Sequence, residues 1–423
     1  MLQRIKNSEF LRHVFVLLSG TALAQLIPFF LSPVLSRLYS PESFGTYALF
    51  LTLTNLVAIV ATARYELAVV LPSADDKAHA VVKLCGLIIA GIFLTVMIPV
   101  FFFNGGITAL LKNPAISPWL YLVPFNVLIL GVFQTMNYWY NRQKKYHVLA
   151  VNKILRNTGT GIVHVTGGVF HAGAMGLIAG QLFGDLLAAV SMLRGYLRKN
   201  FSILRKISFS SVKEVAVEYR QFPLYNSIQV FFDQARDSSI SFIITSSFSG
   251  HVLGLYYFGL RLVQAPLTLL SFSFSQVLYQ KMSFHRSSRL PLMQVVMPIL
   301  KNFFLLSVIV IVFILFFLKD IFGFLFGTAW VESAEYVTCM IPYFAVNFIV
   351  SSLSSVPLVF MKQQFNMVWS VVNNLILMAM VYMFAQYHDF KMMLLAFSGT
   401  AFLIYIAVLG WYLYIIKQHD ASL

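Results

Sequence analysis

Twelve mostly apolar stretches, each about twenty residues long, follow one another along the chain. They lie near 14–35, 44–64, 81–103, 119–139, 152–170, 173–193, 222–246, 252–278, 299–318, 337–360, 367–386 and 392–415. A helix rises about 1.5 Å per residue, so a hydrocarbon layer of ~30 Å is crossed by roughly 20 such residues. The spacing predicts an all-α integral membrane protein of about twelve transmembrane helices. Composition agrees, with 59% of residues hydrophobic and only 11% charged, where soluble domains carry about 25% charged. A soluble core has no room for that much apolar surface, because folding always leaves a large exterior to cover.

The N-terminus carries Arg4, Lys6 and Arg12 ahead of an apolar run, as a signal peptide does, and Ala22-Leu23-Ala24 resembles a cleavage motif. The uninterrupted run 14–18 is short and apolar character continues to Leu35, which reads as an uncleaved first span. Orientation follows from the basic residues. Counted over the alternating loops, twenty-three Lys and Arg fall on the side of the termini and four on the other. The first set includes Lys77, Lys83, the group Arg142, Lys144, Lys145, Lys153 and Arg156, seven between Arg194 and Arg220, Arg289 and Lys362. The second is Arg37, Lys112, Lys319 and Lys391. This bias puts both termini in the cytoplasm. The net charge of +15 is thus a topology signal that also meets anionic headgroups, and nucleic acid is not needed as a partner. Cys85 and Cys339, the two cysteines, fall in apolar segments and read as unreactive packing residues.

The stretch 194–221 is the largest segment outside the apolar runs. It contains SVKEVAVEYRQF, whose mixed pattern fits an amphipathic helix on the membrane surface. It separates a six-helix lobe at 1–193 from another at 222–423. A shift of 209 places Gln25 on Gln234, Gly45 on Gly254 and Tyr47 on Tyr256, and a shift of 218 places Pro124 on Pro342 and Lys144 on Lys362. Six spans per half make any repeat parallel, related by a pseudo-two-fold along the membrane normal, with a substrate path between the halves.

Ionisable groups inside a bilayer are costly unless paired or wet, so the few present are informative. Asn226, Gln229, Asp233, Arg236 and Asp237 advance by threes and fours along the seventh span, which puts them in one polar stripe. Asp233 falls about 16 Å in from the span's start, and Arg261 in the next span about 14 Å from the opposite surface. The acidic pair is a candidate coupling-ion contact, since two carboxylates one turn apart repel and favour binding a proton or Na⁺; Arg261 is a candidate anion contact. The bland alternative is an ion cluster that only joins two helices. Asp185 and His164, near mid-span, are further candidates for a proton relay or else hydrogen-bonded packing residues. Gln25, Asn55, Asn126, Asn347 and Asn374 suit interhelical hydrogen bonds or contact with a polar substrate. Arg64 and Glu66, at the end of span two, are expected to snorkel to the headgroups, where Arg64 would also meet an anionic substrate group. Pro28 and Pro33 are expected to bend the first span. No phosphate-binding Gly-rich loop, HExxH or paired CxxC is present. With no cofactor indicated, uphill transport would draw on an H⁺ or Na⁺ gradient or on consumption of the product.

The run SGTALAQLIPFFLSPVLSRLYSPESFGTYAL, followed by RYELAVVLP, and in the second half LFGTAWVESAEYV with the turn MKQQFN, resemble bacterial Wzx-type O-antigen and polysaccharide flippases. These belong to the multidrug/oligosaccharidyl-lipid/polysaccharide exporter superfamily. The resemblance implies a V-shaped pair of six-helix lobes working by alternating access in the bacterial inner membrane. It implies an undecaprenyl-pyrophosphate-linked oligosaccharide substrate for lipopolysaccharide or related polysaccharide biosynthesis, moved from the cytoplasmic to the periplasmic leaflet. Membrane lipids and other polysaccharide-assembly membrane proteins are the further partners it suggests. The family is similar to lipid II flippases, whose central cavity is cationic. Here Arg261 and Arg64 supply positive charge, but the seventh span carries two Asp against one Arg, which favours an ion-coupling role for Asp233 and Asp237. A multidrug or cation exporter of the same superfamily is the nearest alternative, and the deep Arg236 and Arg261 speak against it. A polysaccharide polymerase or ligase is the alternative from another class. Such an enzyme needs catalytic groups on a sizeable external loop, and 104–118 and 319–336 are short.

Overall fold

The computed structural model describes residues 9–288 and 290–422, so Arg4, Lys6 and Arg289 of the orientation argument lie outside the described residues. All regular structure among the described residues is helical. We label the principal helices α1 (Glu9–Leu38), α2 (Pro41–Ala58), α3 (Asp75–Leu111), α4 (Val123–Arg142), α5 (Tyr146–Val169), α6 (Ala174–Lys206) and α7 (Phe209–Glu218). They continue with α8 (Ser227–Ser247), α9 (Gly250–Ser287), α10 (Met293–Phe326), α11 (Val331–Cys339), α12 (Ile341–Ser352), α13 (Gln363–Ala385) and α14 (Phe390–Ala421). Each of the twelve apolar stretches coincides with one helix or a broken run of them. Among the described residues, seven helices are individually long and apolar enough to cross a membrane, and eight if a bent pair counts as one span. In that pair the short helix preceding Tyr121 meets α4 at 53°. This is a multi-pass membrane protein.

Local chemistry sets the boundaries. Ser40, Ser208, Ser249 and Asp389 cap their helices by accepting a backbone N–H, which satisfies one of the donors orphaned at a helix start. Pro41, Pro124 and Pro342 stand in first turns, where the missing N–H costs nothing. Span two was expected to run on to 64, but α2 stops at Ala58. Ala63 and Arg64 then take left-handed φ values of 47° and 64°, and a 3₁₀ helix, Tyr65–Val70, follows. The stretch 337–360 is likewise divided, into α11, α12 and a single turn at Val356–Val359.

Pro28 and Pro33 both lie within α1, which continues through them. Each removes the N–H that would have bonded the carbonyl four residues earlier. Both freed carbonyls find donors. Asn157 of α5 donates its Nδ2–H to the Ala24 carbonyl, and Ser32 Oγ donates to that of Phe29 at 2.5 Å. Neighbouring helices and hydroxyls are the usual way membrane helices accommodate proline.

The chain divides into two compact units, one ending at Ser246 and the other beginning at Ser247. In the first, α5 lies against both α1 and α6, and the Gly-rich GTGIVHVTGG run is where backbones come together. A Cβ at Gly167 would stand 2.6 Å from the Gly176 Cα of α6, and one at Gly161 2.4 Å from the Leu31 side chain of α1. Trp139 and Tyr196 pack around His79, whose Nδ1 is 2.7 Å from the Tyr196 hydroxyl. The expected amphipathic helix is α7. It buries Val212 and Val215, exposes Phe209 and Val217, and is tied to α3 through Lys77 with Glu214 and Glu218. In the second unit the buried Trp330 packs on Phe258, whose ring also meets Phe322 and Phe326. Asp420 accepts the backbone N–H groups of Leu292 and Met293.

The backbone repeats itself in succession. Ser40 and Ser249, both N-caps, are 209 apart. The starts of α3 and α10, Asp75 and Met293, are 218 apart, as are Val123 and Ile341. Lys144 and Met361, then His171 and His388, are left-handed turn residues 217 apart. The offset therefore grows by nine between the start of α2 and the start of α3, and falls by one between the start of α4 and Lys144. At the first of these places the first half has a short helix and a turn, and the second has the unbroken 38-residue α9.

Candidate functional site

In the first unit a polar chain crosses the α2–α5–α6 packing. Asp185 of α6, almost fully buried, accepts hydrogen bonds from Gln181 Nε2 at 3.1 and 3.0 Å and from Arg156 Nε. Gln181 Oε1 in turn accepts from the Tyr47 hydroxyl at 2.8 Å. The Arg156 guanidinium also stands 5.2 Å from the centre of the Phe133 ring. His164 Nε2 lies 2.8 Å from the Leu177 carbonyl, which can only accept, so this nitrogen carries the proton. The His164 ring meets Tyr47 edge to face at 5.7 Å. Tyr47 thus joins Asp185, by way of Gln181, to His164. Lys153 and Arg156, grouped with the loop residues on sequence grounds, stand inside α5. The loop ends earlier because the helix starts at Tyr146, and Arg156 sits on a face that meets a carboxylate.

The expected stripe on the seventh span is α8. Asn226 and Gln229 have side chains outside the described residues. Arg236 donates from Nε and Nη2 to Asp237 Oδ1 at 3.0 and 2.9 Å. Asp237 is 58% exposed against 15% for Arg236, and Asp233 is half-buried. Arg64 and Glu66 depart from snorkelling. Glu66 is buried, accepts from Thr62 Oγ1, and pairs with Arg64 Nη1 at 3.3 Å. The left-handed turn after α2 folds this carboxylate inward rather than letting it reach the surface. Gln25 is half-buried with Oε1 lacking a hydrogen-bond partner, as do both side-chain atoms of the fully buried Asn126, while Asn55 is exposed. Asn374 is buried. Both cysteines are free thiols, Cys85 buried and Cys339 half-buried.

The second unit contains a cavity of about 440 Å³ between α9 and α12. From α9 it is lined by Gln264, Thr268, Ser271 and Ser275, whose spacing of three and four residues puts them on one helix face. Arg261, half-buried, lies three residues before Gln264 and so continues that face. From the other wall come Asn347, Ser351, Ser354 and Ser355. Ser351 Oγ donates to Asn347 Oδ1 at 3.2 Å, and Ser275 and Ser354 hydroxyls are 3.2 Å apart. Ser355 Oγ is buried with no hydrogen-bond partner. Sequence reasoning picked out Asn347 but not its companions, because Ser and Thr carry no charge and little hydropathy contrast. Their helical spacing was the available signal. Among the described residues no group of three or more His, Cys, Asp or Glu side chains is placed to hold a metal ion.

A family model described as polysaccharide biosynthesis protein matches residues 34–335. Comparison with curated proteins gives no match. Among solved structures, the chain is similar to the lipid II flippase MurJ in an inward closed conformation, with a TM-score of 0.72 at 14% identity over 95% of this chain and 87% of that one. It is also similar to an inward-facing multidrug resistance MATE family transporter of the MOP superfamily, with a TM-score of 0.65 at 12% identity over 96% and 94%. At such identities the likeness is one of fold.

Proposed function

Because this chain belongs to the polysaccharide biosynthesis protein family, we propose that it is a flippase for undecaprenyl-pyrophosphate-linked oligosaccharide, an O-antigen or related repeat unit. It moves this substrate from the cytoplasmic to the periplasmic leaflet of the bacterial inner membrane, with both termini cytoplasmic. The observation that carries the reading is a fold similar to that of a lipid II flippase in a chain of a polysaccharide biosynthesis family, and the cavity beside α9 agrees with it. An otherwise apolar multi-pass protein maintains there a face of amides and hydroxyls, the groups that match a glycan. The halves 1–193 and 222–423 act as its two lobes. Arg261 and Arg64 contact the pyrophosphate, and Gln25 and Asn55 contact the sugars. Asp233, Asp237 and Arg236, with Asp185 and His164, are the groups through which an H⁺ or Na⁺ gradient acts. The protein is a transporter and performs no covalent chemistry.

Reconstituted vesicles test this. Undecaprenyl-pyrophosphate oligosaccharide loaded in one leaflet should reach the other faster than in protein-free vesicles. Arg261→Ala should abolish the transfer, and Arg261→Lys should retain part of it, because a point charge replaces a bidentate fork. Transfer no faster than in protein-free vesicles overturns the reading.

A further inference from the structure

We infer that the α9–α12 cavity of the second unit is a binding site for uncharged sugar residues, separate from whatever holds the pyrophosphate. The inference rests on the flippase reading and narrows its substrate class.

The volume of about 440 Å³ lies within the range of small-molecule sites, about 300–1,000 Å³. Its described lining carries no Lys, Arg, Asp or Glu. Hydroxyls and carboxamides both donate and accept, as sugar hydroxyls do, so Gln264, Thr268, Asn347 and Ser351 can answer a polyol in either sense. A pyrophosphate only accepts, and its strong partners are charged donors, which this lining lacks. The aromatic rings of Tyr279, Phe344 and Phe348 on the cavity wall offer surfaces for the C–H face of a pyranose. Ser355 supplies the second, independent sign of a ligand. The residue is only 4% exposed, it lines the cavity, and Oγ has no hydrogen-bond partner. A buried hydroxyl left unpaired is costly, and a sugar hydroxyl at this point would satisfy it. Small hydroxyl residues also serve to bring membrane helices together. Ser271 with the Phe348 carbonyl and Ser275 with Ser354 do this here, and the cavity is the space left open beside them. The same neutrality sets the selectivity. A uronate or other anionic sugar entering this cavity would be desolvated without a cationic partner, which is strongly unfavourable.

The test uses the full chain in lipid nanodiscs and three probes: undecaprenyl pyrophosphate alone, the same lipid carrying a neutral N-acetylhexosamine oligosaccharide, and the same lipid with a uronic acid in the glycan. The neutral glycan should raise affinity about tenfold or more over the bare carrier, and the uronate glycan should not. Asn347→Ala and Ser355→Ala, each removing one partner, should cut that gain by roughly 2–10-fold while the bare carrier binds as before. Ser271→Ala, a milder change on the opposite wall, provides the check if either variant fails to fold. Equal affinity for bare and glycosylated carrier, a gain that survives all three variants, or a preference for the uronate glycan overturns the inference and leaves the flippase reading standing. Failure of every probe to bind overturns the flippase reading, and this inference falls with it.

Discussion

Asn157 and Pro28 form a pair whose energetics can be worked out from the structure. Pro28 has no N–H for the Ala24 carbonyl, and Asn157 Nδ2 supplies one from α5. Ala24 is 2% exposed, so water does not substitute. Replacing Asn157 with Leu keeps comparable bulk and leaves the carbonyl bare, at a cost of about 1–3 kcal/mol. Pro28→Ala returns the N–H and lets the helix close its own i→i−4 bond, which makes the Asn157 amide redundant. In that background Asn157→Leu should cost close to nothing. The expected coupling energy is ~1 kcal/mol, inside the range measured for side-chain hydrogen bonds in membrane proteins, about 0.6 on average and ~1.7 at most. Unfolding equilibria of the four proteins in mixed detergent micelles give the cycle directly. Additive effects, with Asn157→Leu equally damaging whether residue 28 is Pro or Ala, would refute the idea that the amide replaces the missing backbone donor.

Three further outcomes follow from named contacts. Gly184→Ala places a Cβ 2.5 Å from the Arg156 carbonyl and 2.0 Å from Thr160 Oγ1, so it should destabilise by about 1–3 kcal/mol, whereas Gly399→Ala, with open space around it, should be neutral or stabilising in the same thermal scan. Asp185→Ala leaves Arg156 without its carboxylate and should cost ~3–5 kcal/mol, while the double variant Asp185→Leu/Arg156→Leu should recover most of that; equal losses would count against an ion pair. Glu335 accepts from Lys391 at 2.7 Å and Lys319 at 3.1 Å, and these contacts hold its carboxyl below the usual range. A depressed folded value means that its contribution is present above the unfolded pKa and lost as pH falls through the folded one, so Glu335→Gln should flatten the acid side of the stability profile by a few tenths of a kcal/mol, the ordinary worth of exposed pairs at ~0.2–1 kcal/mol. An unchanged profile would mean that the clasp contributes nothing.

Hydropathy located the helices because burying twenty apolar residues in lipid is a property of composition along a window. Breaks inside those windows were illegible, since the end of α2 at Ala58 and the turn through Ala63 and Arg64 depend on tertiary packing of Glu66, which no local pattern encodes. Asp185 and His164 stood out as ionisable groups at mid-span, yet Arg156 did not. Its neighbours Lys144, Lys145 and Lys153 made it look like one more member of a basic loop, and only the packing of α5 on α6 gives it a carboxylate. The Asp233–Asp237 stripe rests on helical spacing, which says nothing of enclosure, and Asp237 is more exposed than its neighbour Arg236. The cavity of the second unit was the hardest to foresee, because emptiness between helices is a property of two surfaces and the residues bordering it are chemically quiet.

The nine-residue change of offset between the halves has a meaning for descent. If one ancestral half was copied, the copies kept their caps and left-handed turns in step, from Ser40 and Ser249 to His171 and His388. They differ most in length at one place, where the later copy holds one long helix and the earlier copy a short helix and a turn. Ser271, Ser275 and Tyr279 stand on that added length, beyond anything α2 reaches. That difference in length is both a break with symmetry and the ground on which these cavity side chains stand. The copies ceased to be interchangeable there, and a chimera built from two first halves would inherit the frame without the chamber.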